Sequence, residues 1–111
     1  MIKNRYDSLM PVPSRHLHDL YKLFTSIRNE KEARILLEDI LTPQELASIA
    51  ERWQIVRALV AGIPQRTIAE NLDVSIATIT RGSRMLKAGS GGFHHFLSKA
   101  GMKKGWRWLF E

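Results

Sequence analysis

The stretch "PQRTIAENLDVSIATITRGSRMLKAG", Pro64 to Gly89, decides the fold. It reads as two short helices with a break between them. Pro64 suits a helix start, because its missing N–H is one of the donors a first turn leaves unpaired. Asn71, Asp73 and Ser75 interrupt that first helix after about residue 72, and Ser75 can cap the second. Two helices that cross steeply through a short turn need a small residue at their contact, apolar residues at the corner and a capped second helix. Ala69 is the small contact residue; Ile68, Leu72, Val74 and Ile79 supply the corner; Ser75 supplies the cap. This is helix-turn-helix spacing, over about residues 64–88. Asp73 stands where the motif commonly has glycine, and Asp tolerates a positive φ better than most residues.

Upstream, "LTPQELASIAERWQIVRALVAG", Leu41 to Gly62, is the clearest helix. Thr42 fits the N-cap, Pro43 the first helical position and Glu45 the third, a capping box. Leu46, Ile49, Ala50, Trp53, Val56 and Leu59, widened by Ile55 and Val60, form a broad apolar stripe that predicts burial on more than one side. Gly62 lies where a helix-ending glycine sits.

Towards the N-terminus, Pro11 and Pro13 forbid a helix, so residues 1–13 are expected to be a flexible arm. Ser14 is a candidate cap. Leu17, Leu20, Tyr21, Phe24 and Ile27 follow at spacings of three and four, and a second helix opens near Asn29 with Glu32 three residues on. Beyond the reading helices, "GSGG" (Gly89 to Gly92) is a break, and an amphipathic helix and tail fill 93–111, ending in "KKGWRWLFE". Strand signals are nearly absent. The expected architecture is all-α, about six helices, in a single domain over residues 14–111.

Composition narrows the function. The chain has 111 residues, 44% of them hydrophobic, which allows a packed core with little slack and suits a dimer that shares one. It has no cysteine, which removes disulfides and thiolate chemistry and suits a cytoplasmic protein. The first residues hold no apolar run of signal-peptide length, and no stretch approaches the roughly 20 apolar residues that span a bilayer, so no membrane association is expected. Residues 1–61 carry 9 Lys/Arg against 8 Asp/Glu, whereas residues 62–111 carry 8 against 3. The positive field therefore belongs to the half with the helix-turn-helix, as a phosphate partner requires. The pairs His16/His18 and His94/His95 lack the i, i+4 spacing that sets two imidazoles on one helical face, and no metal site is expected. No nucleophile, base and carboxylate arrangement stands out, so the chain does not read as an enzyme.

The exposed residues of the motif favour a reader of double-stranded DNA over an ordinary helical hairpin. Ile76, Ala77, Thr78 and Thr80 occupy the first turns of the second helix, and such short side chains let a backbone approach base edges and thymine methyls. Gln65 and Arg66 open the first helix, where phosphate contacts belong, and Lys87 closes the second. Ala69 completes this DNA-facing set.

"IATITRGS", Ile76 to Ser83, resembles the recognition helix of the bacterial Trp repressors. "LTP" before the long helix, Arg52 inside it, "QR" at Gln65–Arg66 and "LKA" after the second helix agree. The resemblance covers about residues 36–98, extends to 14–35 as helical pattern, and omits the "WRWLF" tail. It implies an interlocked homodimer core with projecting reading heads, a palindromic operator in aromatic amino-acid genes, and L-tryptophan as corepressor, with no other cofactor. By position, Arg52 and Arg81 would flank the indole, one guanidinium on each face. Arg81, with Thr42, would bind the ligand carboxylate, and backbone carbonyls near Asp39 and Leu41 of the other subunit would accept from its ammonium. Gly82 would let the ring lie against bare backbone, which gives a use to a glycine costing about 1 kcal/mol of helix propensity. Two positions depart from the family. Met85 stands where it has a small hydroxyl residue near the ammonium, and the link from Gly62 to Gln65 is one residue shorter than in the enteric-type repressors. Both leave open a second reading, a helix-turn-helix regulator of the Trp repressor-like branch with no effector or a different one. A third, a helical interaction module working through the basic aromatic tail, is also open.

Overall fold

The computed structural model describes residues 12–99, and all the regular structure in them is helical. The six helices are α1 (Ser14–Thr25), α2 (Glu30–Ile40), α3 (Pro43–Val60), α4 (Gln65–Leu72), α5 (Ile76–Ala88) and α6 (Gly92–Lys99). The expected arm, apart from its last two residues, and the "KKGWRWLFE" tail lie outside the described residues. The chain divides into two compact units, one ending at Leu46 and the other beginning at Ala47. None of the described helices is long and apolar enough to cross a membrane.

The first unit is held by local polar signals. Asn29 Oδ1 accepts from the Glu32 N–H at 2.9 Å, and Glu32 Oε1 accepts from the Arg28 N–H at 3.0 Å. The expected capping box of α3 is present in both directions: the Glu45 N–H donates to Thr42 Oγ1 at 3.1 Å and the Thr42 N–H donates to Glu45 Oε1 at 2.9 Å. The Thr42 backbone N–H first, and the Thr42 hydroxyl second, hold the Glu45 carboxyl below the usual carboxylate range. Ser14 departs from expectation. Pro13 is the N-cap, Ser14 is already the first helical residue, and no side chain caps α1. Pro13 fixes the backbone turn into the helix, so the serine is one position too late. The apolar stripe of α1 forms as its spacing predicts, yet neither α1 nor α2 has a buried residue.

The second unit contains a packed core. Ile55 and Ala58 of α3, Ile63 of the following loop, Ile68 and Ala69 of α4 and Ile79 of α5 form one cluster, with Leu59, Leu72 and Val74 packed against it. Chain geometry brings them together. At the end of α3, Gly62 takes φ +85°, and the N–H groups of Gly62 and Ile63 donate to the carbonyls of Leu59 and Ala58 at 3.0 and 3.1 Å. That is a Schellman closure, and it folds Ile63 back onto the helix it has just left. The broad stripe of α3 is thus buried in part: Ile55 and Val56 are buried, with Ala58 beside them, while Ile49 and Val60 are exposed.

At the next corner Asp73 adopts φ 55°, ψ 49°, the left-handed conformation expected where the motif favours glycine. The Val74 N–H then donates to the Ala69 carbonyl at 3.1 Å. Ser75 Oγ accepts from the Thr78 N–H at 3.1 Å and caps α5, as its position predicts. The α6 segment is held by Leu97, which is buried, and by Phe93, whose ring stacks on Trp53 of α3 with centroids 6.2 Å apart. Its helix starts one residue earlier than the sequence suggests, at Gly92.

Candidate nucleic-acid interface and ligand cavity

The helix-turn-helix presents most of its expected DNA-facing residues to solvent. Gln65 and Arg66 are exposed in the first turn of α4, Ile76 and Ala77 are exposed at the start of α5, and Lys87 is exposed in its last turn. Ile76 is 49% exposed, so its apolar side chain is open to contact. Thr80 is half-buried, and its hydroxyl is engaged by the Ile76 carbonyl at 3.0 Å, so its methyl remains for apolar contact. Ala69 must be removed from this set. It is 9% exposed and belongs to the core cluster. A side chain small enough to let two helices touch is covered by that contact and cannot reach DNA.

A second site is built on α3 and α5. A cavity of about 210 Å³ is lined by Ser48, Glu51, Arg52 and Ile55 from α3 and by Thr78, Arg81, Gly82 and Met85 from α5. Each set follows the pattern i, i+3, i+4, i+7, so each is one face of a helix. The structure therefore brings Arg52, Arg81, Gly82 and Met85 together, as the resemblance implies. Asp39, Leu41 and Thr42 belong to the first unit and do not line it. The volume is below the roughly 300–1,000 Å³ of a complete small-molecule site. What the second unit supplies is a partial wall.

Gly82 has a role beyond the one expected. A Cβ at this position would stand 2.8 Å from Ile55 Cγ2 and 3.6 Å from Leu59 Cδ1. Ile55 is buried and β-branched, so its methyl cannot simply swing aside. The glycine is required by the close approach of α3 and α5 themselves, before any ligand is considered.

Sequence reasoning missed Ser48, Glu51 and Ile55 as cavity residues, and took Thr78 only as DNA-facing. Thr78 lines the cavity, and its hydroxyl lies 2.9 Å from Ser75 Oγ. The signal for the α3 residues was available: counting −4, −1 and +3 from Arg52 along a helix gives this face.

Comparison with known proteins bears on the family and the fold. The sequence model of the Trp repressor protein family matches residues 15–101. A Trp operon repressor homolog of Mannheimia succiniciproducens is 42% identical over 90 residues, covering 78% of this chain and 89% of that protein. One from Chlamydia trachomatis serovar L2 is 42% identical over 78 residues, covering 69% and 83%. Among solved structures, a TrpR-like protein from Eubacterium eligens superposes with a TM-score of 0.77 at 27% identity, covering 82% of this chain and 94% of that one. A Staphylococcus aureus protein gives 0.81 at 22% identity, covering 93% and 100%, a likeness that speaks to fold alone.

Proposed function

The chain belongs to the Trp repressor family, and on that premise we propose that it is a DNA-binding transcriptional repressor of tryptophan genes, a cytoplasmic homodimer with L-tryptophan as corepressor. The observation that carries this reading is the meeting of Arg52, Arg81 and Gly82 in one cavity, whose α5 wall lies on the same helix as Ile76, Ala77 and Thr80. A flat aromatic ligand between two guanidinium groups is favourably placed for stacking. Its carboxylate would be bound by Arg81 with Thr42, and its ammonium by the backbone carbonyls near Asp39 and Leu41 of the partner subunit. Gln65, Arg66 and Lys87 would hold phosphates, while Ile76, Ala77, Thr78 and Thr80 would meet base edges.

Dimerisation is supported by the first unit. Leu20, Tyr21 and Phe24 of α1 and Ile35 of α2 are exposed. Monomeric proteins rarely leave apolar stripes of that extent in water, and a second copy of the same helices would cover them. Two reading heads about 34–36 Å apart would then match successive major grooves of a palindromic operator. The corepressor acts by binding that spacing more tightly than any other.

The test is a gel shift on DNA upstream of tryptophan-biosynthesis genes, with each aromatic amino acid in turn. L-tryptophan is expected to strengthen binding by about tenfold or more, ~1.4 kcal/mol. Arg81→Ala is expected to lose that response while retaining its helical circular dichroism. Met85, which brings a thioether and no hydroxyl to the cavity, favours a second reading: a regulator of the same family with no effector or a different one. Operator binding unchanged by every aromatic amino acid would select it.

A further inference from the structure

The cavity holds one charged group that the corepressor reading leaves unused. Glu51 lines it beside Arg52 and opposite Arg81, yet it forms an ion pair with neither. No arginine neutralises Glu51 there. Nor does it serve α3: the residues three and four positions away, Ala47, Ser48, Gln54 and Ile55, include no cation. A carboxylate thus faces a cavity whose other charges are both positive, and none of the three is paired with another.

The hydrogen-bonding inventory separates their roles. Arginine has five N–H donors and no acceptor, so Arg52 and Arg81 can hold a carboxylate or a π-face but never an ammonium. Met85 offers only a weak thioether acceptor. The Thr78 hydroxyl is already engaged with Ser75. That hydroxyl and the one on Ser48 can still accept through a lone pair, as can the Glu51 carboxylate, but of these acceptors only Glu51 brings charge.

We infer that Glu51 makes the cavity selective for zwitterions, accepting the ligand's ammonium while Arg81 takes its carboxylate. The inference rests on the corepressor reading and adds to it. An ammonium has three donors, so Glu51 and backbone carbonyls from a partner subunit can be satisfied together. An aromatic acid without an amine meets Glu51 as a like charge and is disfavoured, whereas an amino acid finds both of its charges matched.

The experiment is calorimetric titration of the full chain, wild type and Glu51→Gln, with L-tryptophan and with indole-3-propionate, which has the same ring and carboxylate and no amine. Glu51 is exposed, so the isosteric glutamine is expected to leave the fold intact, checked by circular dichroism. The wild type should bind tryptophan about tenfold tighter than indole-3-propionate, ~1.4 kcal/mol. E51Q should bring that ratio close to one by weakening tryptophan alone or by also strengthening the acid. A ratio unchanged in E51Q, whether both affinities move together or neither moves, overturns the inference and leaves the corepressor reading standing. A wild type that binds neither ligand overturns both.

Discussion

The two units of this chain use apolar residues in opposite ways. In the second, Ile68 and Ile79 are 0% exposed and lock a three-helix corner. In the first, Phe24 is 42% and Ile35 54% exposed, on helices whose periodicity is just as regular. Amphipathic spacing therefore states which face seeks burial and is silent on whether the same chain supplies the cover. The second unit buries a core of its own and still leaves Ile49, Val60 and Phe96 exposed, whereas α1 and α2 bury no residue and leave their stripes open for another surface.

The contrast can be broken at graded cost. The largest effect is expected at Ile68→Ala, which empties a fully buried site and should lower stability by about 2–5 kcal/mol, read from the denaturant midpoint. Gly82→Ala comes next. Its new methyl meets Ile55 Cγ2 at 2.8 Å, so overpacking should cost about 1–3 kcal/mol despite the gain in helix propensity. Phe24→Ser tests the first unit: sedimentation should report a weakened dimer, and unfolding should become more dependent on protein concentration. If the thermal midpoint falls equally at every concentration, α1 is covered by its own chain instead. The smallest effect is at the helix cap. Thr42→Ala should cost about 1 kcal/mol. The same cap carries a pH signature: because the folded Glu45 carboxyl titrates below its ordinary range, its contribution is full above that range and lost as pH falls through the lowered folded value. Thr42→Ala keeps the backbone donor and removes the hydroxyl, so it should flatten this acid limb in part.

What was legible in the sequence was mostly what is decided locally. The Thr42–Glu45 box, the Ser75 cap and the left-handed Asp73 each depend on residues within a few positions of one another, so the linear sequence holds the cause. Ser14 failed for the same local reason, since Pro13 already fixes the entry to α1. The cavity was half legible. Arg52, Arg81, Gly82 and Met85 came from likeness to a known motif, but Ser48 and Glu51 take their role from how closely α3 approaches α5, a tertiary distance set by Ile55 against Gly82. Ala69 was assigned both to the helix contact and to DNA, and only packing separates those uses.

The placement of residues on α5 bears on how such a regulator can be altered. At about 100° per residue, Ile76, Ala77 and Thr80 lie on one side of the helix, while Arg81, Gly82 and Met85 lie on the side that lines the cavity. On the proposed reading, substitutions at the first three positions would retarget the protein to a new DNA sequence while a response to a small molecule would be inherited unchanged. Changes at Met85 would retune that response without rewriting the target. Thr78 alone belongs to both sets, and a library built on this helix should hold it constant.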